Sequence, residues 1–208
     1  MNGKKYFIVS LTWVDRLTLA SLVLASLGLL SALHEKLTLA IGLMLLAMFV
    51  DMIDGLIARR MNLESEFGRY LDSFCDMITY LILPLFILYQ FGIQDALSLC
   101  ALFTFLACGV LRLSRFNIVG TLEEDGVAYH LGLQVIWSHL LVVLAFPVWK
   151  WLGTSARYPL ILILVMMSLF MIRNLRFPKP TRYTLQTIII LSVTIIYFYL
   201  HFAGIYTP

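Results

Sequence analysis

Long apolar runs, broken at intervals by short polar clusters, set the pattern of this chain. Seven can be drawn, at roughly 17–33, 37–58, 70–91, 94–114, 131–152, 157–173 and 183–204. Most approach the ~20 residues a helix needs to cross about 30 Å of hydrocarbon. The first and sixth are short. Lys4, Lys5 and Arg16 precede the first run and no small-residue cleavage site follows it, so the pattern predicts a retained helix rather than a cleaved signal peptide. Composition agrees: 61% of the 208 residues are hydrophobic and 13% charged, far from the balance of a soluble domain. The expectation is an all-α integral membrane protein forming one domain over residues 1–208, without a separate soluble part.

The charges are unevenly placed. With the N-terminus in the cytoplasm, Lys4, Lys5, Arg16, Arg59, Arg60, Arg69, Arg112, Arg115, Arg173, Arg176, Lys179 and Arg182 fall inside, and Lys36, Lys150 and Arg157 outside. Twelve against three is the bias of cytoplasmic loops. The net charge of +3 therefore gathers on one face, where anionic headgroups or phosphorylated substrates meet it. No basic helix with interleaved aromatics supports nucleic-acid binding. The longest loop, about Ile118 to His130, carries Glu123, Glu124 and Asp125 and reads as a solvated loop. Cys75, Cys100 and Cys108 match neither a zinc site nor a disulfide framework and read as small core residues.

Four acids interrupt the apolar pattern. Asp51 and Asp54 close the second run, and Asp72 and Asp76 open the third. An acid at the bilayer centre costs about 3 kcal/mol, so acids in membrane segments mark function by default. Spacings of three and four place each pair on one helix face. A short loop makes the two helices antiparallel neighbours, which brings four carboxylates to one depth. Like charges that close call for cations. As a set of carboxylates alone, the ligands suit hard metals, Mg2+ or Mn2+ and also Ca2+. Two such ions can clamp a pyrophosphate. Gly55, Ala58 and Gly68 leave room against the backbone, and Arg59 at the membrane edge offers a fork for phosphate oxygens. Taken singly, helix packing explains the glycines and snorkelling explains Arg59.

Together these residues read D51-x-x-D54-G55-x-x-A58-R59, eight residues, then G68-x-x-x-D72-x-x-x-D76, which resembles the signature of the CDP-alcohol phosphotransferase family at every specified position. The resemblance implies a bundle of six core transmembrane helices, here with one further apolar segment, and a homodimer. It implies cleavage of a CDP-linked lipid at its pyrophosphate, transfer of the phosphatidyl group to a hydroxyl acceptor, and release of CMP. Asp51, Asp54, Asp72 and Asp76 would hold Mg2+ or Mn2+ in a two-metal site. Asp76 would also be the catalytic general base. Gly55, Ala58, Arg59 and Gly68 would line the CDP pocket. The active site would face the cytoplasm from the cell membrane.

Three further segments are similar to the membrane-embedded phosphatidylserine synthase branch: Ser65 to Ser73, Leu111 to Asn117, and Arg176-Phe177-Pro178 with Lys179. L-serine is accordingly the first acceptor expected, with CDP-diacylglycerol or an archaeal analogue as donor. Arg112, Arg115 and Asn117 are the candidate ligands for the acceptor or a lipid phosphate. The chain departs from that branch at Gln134 to His139, where the proline of G-L-P, another proline and small residues are usual. Choline, with Trp137 against its quaternary ammonium, or a phosphorylated polyol therefore stays open as acceptor. His139 reads as an interior histidine, and Ser138 beside it as no catalytic partner. His130 and His34 call for no function. A divalent-metal or ion transporter is the distant alternative.

Overall fold

A computed structural model of the chain describes residues 11–61, 63–120, 122–124 and 127–178. Six helices follow in order: α1 (Trp13–Leu33), α2 (Leu37–Met61), α3 (Glu66–Gln90), α4 (Ala96–Val119), α5 (Trp137–Leu152) and α6 (Arg157–Ile172). The first four are long and apolar enough to cross a membrane, and α5 and α6 are shorter apolar helices. The predicted run at 183–204, with Lys179 and Arg182, lies outside the described residues.

Helix ends depart from the apolar runs for a physical reason. Polar residues of the signature continue the helices, so α2 extends to Met61 and α3 begins at Glu66. Thr12 caps α1, its hydroxyl accepting from the Asp15 amide while Asp15 accepts from the Thr12 amide. Ser65 caps α3, accepting from the Gly68 amide at 2.9 Å. Within α3, Met77–Ile82 winds as a π-helix, where the Leu83 amide bonds Ile78 O five residues back. Pro84 follows directly. Proline lacks the amide that would bond the carbonyl four residues earlier, and its ring crowds that carbonyl; here that carbonyl is Tyr80's.

The expected solvated loop is corrected: it contains two strands, β1 (Leu122–Glu124) and β2 (Val127–Leu131), and β2 pairs antiparallel with β3 (Arg176–Pro178), with Leu131 opposite Arg176. The expectation of an all-α membrane protein holds for the bulk of the fold, a helical bundle to which a small three-stranded sheet is added. The fifth run also begins late, because Leu131 ends β2 and α5 starts at Trp137. Gly132 turns the chain there with φ of 76°, and a Cβ at this position would fall 2.3 Å from the Met171 carbonyl oxygen.

The core runs along the bundle axis through Ile41, Met44, Leu45, Leu81, Leu83, Phe105 and Leu164, all fully buried. Close approach of α4 to α3 depends on Gly109, whose added Cβ would lie 2.4 Å from a Leu81 methyl. Large apolar side chains such as Phe103, Trp151 and Leu162 point outward, as lipid-facing positions do. Cys75 and Cys108 are buried as small core residues, whereas Cys100 is exposed.

Candidate active site at the acidic end of the bundle

α1 packs along α2 and against the start of α3, while α2 approaches α3 most closely from its π-helical turn onward. The last turns of α2 and the first turns of α3 therefore stand apart, and the gap between them is a cavity of about 580 Å³. Its wall carries Asp51, Asp54, Gly55, Ala58 and Arg59 from α2, Gly68, Asp72 and Asp76 from α3, and Arg112 from α4.

Oxygen atoms of Asp51, Asp72 and Asp76 lie within 4.8 Å of one another. Three full negative charges so placed repel by about 3 kcal/mol per pair at an effective dielectric near 20. Summed over the pairs, that rivals the total stability of an ordinary domain. Asp51 Oδ1 and Asp76 Oδ1 are buried and accept no hydrogen bond from the described residues. Asp51 Oδ2 accepts from the Tyr80 hydroxyl at 2.7 Å. Asp54, only 2% exposed, stands beside the trio and accepts from the Thr18 hydroxyl of α1 at 2.7 Å. Arg59 neighbours Asp72 and Asp54, and Arg112 neighbours Asp76.

Gly55 matters because a Cβ there would meet the Arg59 guanidinium at 3.3 Å, so the missing side chain lets Arg59 fold back along its own helix toward the acids. At Gly68 a Cβ would meet Ser65 Oγ at 3.0 Å and Asp15 Oδ1 at 3.2 Å, so this glycine lets α1 and the start of α3 close up.

Not every predicted residue reaches the cavity. Arg112 lines it, with a buried Nε that has no hydrogen-bond partner and its guanidinium 5.2 Å from the Phe116 ring centre. Arg115 is exposed and lies off the cavity wall. Asn117 also lies off the wall and ties α4 to α3, accepting from the Ser73 hydroxyl at 2.8 Å and, through its carbonyl, from Arg69. Trp137 is absent from the lining as well. Conversely, Asp15, Thr18, Tyr80, Phe116 and His130 line it without having been predicted. His130 sits on β2, 9% exposed, edge-on to Phe116. Ser138 Oγ and His139 Nδ1 come within 3.3 Å, closer than neighbours on a helix were expected to be, but the Ser138 hydroxyl donates to the Tyr80 carbonyl at 2.6 Å.

A model of the CDP-alcohol phosphatidyltransferase family matches residues 11–207. The chain belongs to this family and is a membrane-embedded transferase of phospholipid biosynthesis. It is similar to the CDP-diacylglycerol--serine O-phosphatidyltransferase of Bacillus subtilis, 28% identical over 83% of this chain and 93% of the relative. The archaetidylserine synthase of Methanothermobacter thermautotrophicus is 27% identical over 86% of this chain and 74% of its own length. The phosphatidylcholine synthase of Mesorhizobium japonicum is 31% identical over a shorter match, 63% of this chain and 49% of the relative.

Proposed function

We propose that residues 1–208 act as one catalytic unit that transfers a phosphatidyl group from CDP-diacylglycerol, or an archaeal analogue, to L-serine with release of CMP. The observation that carries this reading is the charge of the cavity. Seven carboxylates and three arginines line it, an acidic pocket in a chain whose net charge is +3. A pyrophosphate would be repelled there unless divalent cations came with it, and two of them would cancel the excess of four negative charges.

The donor set fits such ions, being all oxygen, with Asp51, Asp72 and Asp76 clustered within 4.8 Å, Asp54 beside them, and buried Oδ1 atoms of Asp51 and Asp76 that lack a hydrogen-bond partner among the described residues. Asp51, Asp54, Asp72 and Asp76 would hold Mg2+ or Mn2+, with Ca2+ also compatible. Bound there, the ions would neutralise the pyrophosphate and polarise its phosphoryl oxygens. Gly55, Ala58, Arg59 and Gly68 would seat the CDP moiety, Arg59 pairing with phosphate oxygens. Asp76 would take the proton from the acceptor hydroxyl as its oxygen bonds the phosphatidyl phosphorus and the pyrophosphate bridge breaks, so that CMP leaves with the bridging oxygen. Arg112 would receive the serine carboxylate or a lipid phosphate, whereas Arg115 and Asn117, which lie off the cavity wall, would act only from outside it.

Choline is the second reading, favoured by the Mesorhizobium relative. Against it stand Trp137, which lies off the cavity wall, and Phe116, whose ring already faces the Arg112 cation. Membership of a transferase family sets the transporter reading aside. The bias of Lys and Arg speaks for a cytoplasm-facing site in the cell membrane, and the family resemblance for a homodimer.

Purified protein supplied with CDP-diacylglycerol, Mn2+ and, in turn, serine, choline, inositol phosphate and glycerol phosphate tests the proposal. Serine-dependent CMP release that stops on chelation is expected. Transfer to choline but not serine would overturn the acceptor while leaving the chemistry intact. Turnover that survives thorough chelation would overturn the metal site.

A further inference from the structure

We propose that Tyr80 is a positioning residue for Asp51, held in place by Ser138 and His139 of α5; the inference rests on the metal site proposed above. Tyr80 continues the spacing of Asp72 and Asp76 by four more residues. On a regular α-helix, positions four apart drift about 40° around the axis. The wider π-helical turn at Met77–Ile82 takes this drift back and turns Tyr80 toward α2. There its hydroxyl donates to Asp51 Oδ2 at 2.7 Å. One carboxylate oxygen is thereby fixed, and the other, Oδ1, is buried without a hydrogen-bond partner among the described residues, in a carboxylate that comes within 4.8 Å of those of Asp72 and Asp76.

Pro84 has no amide to offer the Tyr80 carbonyl four residues back, and Ser138 Oγ donates to that carbonyl at 2.6 Å. The His139 ring packs against the Tyr80 ring at 4.6 Å between centres, both side chains 2% exposed. Backbone and ring of Tyr80 are thus each gripped by a different residue of α5. The same segment, Gln134 to His139, is where the chain departs from the serine-branch sequence pattern, so Ser138 and His139 acquire a structural reason. Partners that orient a metal-binding carboxylate typically contribute about 10–100-fold in metal affinity.

The test is Mn2+ binding to full-length purified protein, followed by the electron paramagnetic resonance of free Mn2+, with turnover measured against Mn2+ concentration in parallel. Tyr80→Phe removes one hydroxyl and should weaken Mn2+ binding about tenfold, with the loss concentrated in metal dependence rather than in turnover at saturating metal. Ser138→Ala should weaken binding by a smaller factor, and adding it to Tyr80→Phe should produce less than the product of the two effects, because both act through one side chain. Unchanged Mn2+ affinity in Tyr80→Phe, alongside its loss in Asp51→Asn, overturns the proposal. Unchanged affinity in Asp51→Asn as well means that the metal site itself is misread. Should Tyr80→Phe not survive purification, Ser138→Ala carries the test, and wild-type Mn2+ affinity in that variant overturns it.

Discussion

Acids stand at both ends of the helix bundle, and their surroundings could hardly differ more. Beyond the end of α3, Asp95 is half-buried, lies 3.4 Å from the Arg157 guanidinium, and accepts the Ser98 hydroxyl. At the opposite end Asp51, Asp72 and Asp76 crowd together, and the buried Oδ1 atoms of Asp51 and Asp76 have no hydrogen-bond partner among the described residues. Where the protein supplies the cation, an acid is part of the scaffold. A cluster whose carboxylates outnumber the neighbouring arginines, Arg59 and Arg112, implies further positive charge that arrives from outside, and four positions that are costly in a membrane then have a use.

The largest effect should follow from removing one charge at the crowded end. Asp72→Asn and Asp51→Asn preserve size but leave a neutral amide where a divalent cation needs an anionic oxygen. CMP release should fall below detection, while insertion and the melting temperature in detergent stay near wild type or rise, because repulsion is relieved. Retained turnover in either variant would place the pair among ordinary scaffold acids like Asp95.

Within the cluster, Asp76 should separate from the rest. It opens the π-helical stretch, neighbours Arg112, and has a buried Oδ1 without a partner. If it takes the acceptor's proton, Asp76→Asn should slow transfer by roughly 10²–10⁴ and bind CDP-lipid nearly as well as wild type. Loss of CDP-lipid binding equal to that in Asp54→Asn would make Asp76 chiefly a ligand.

The crowded end was largely legible in the sequence, since acids at three- and four-residue spacing on adjacent apolar runs can converge without knowledge of the rest of the fold. The positions of the six described helices were legible for the same reason: each is written in local hydropathy. Two things were not. The sheet joins 122–131 to 176–178, a pairing across the length of two helices that no local period encodes. The hydroxyl partners Thr18 and Tyr80 escaped notice because such residues are common in apolar helices, and only the third dimension gives them an acid to hold. Tyr80 did carry a faint signal, in its spacing from Asp76 and in the proline four residues on.

Arg112 and Arg115 sharpen the comparison, because three-residue spacing suggested one role and the geometry divides them. Arg112 lines the cavity with an unsatisfied Nε, while Arg115 is exposed. A hydrogen bond to a charged group contributes about 1.5–3 kcal/mol, so Arg112→Ala should raise the serine KM by about ten- to a hundredfold with a smaller change for the CDP-lipid. Arg115→Ala should change either constant by only about twofold, as expected of a screened surface charge. Equal effects of the two substitutions on serine KM would restore the paired reading.

The smallest effect belongs to the opposite end. Asp95→Asn retains an oxygen for the Ser98 hydroxyl and loses only the attraction to Arg157, a solvent-accessible pair of the kind that contributes little. Ser98, and after it Arg157, hold the Asp95 carboxyl below the usual carboxylate range. A group depressed in this way stabilises the fold above the unfolded-state value near 4 and ceases to do so as pH falls through its lower folded-state value. The substitution should leave turnover and metal dependence at wild-type values, and shift the melting temperature slightly at neutral pH and not at all in strong acid. A large loss of activity would mean that the two ends of the bundle are coupled, and that the scaffold acid is no bystander.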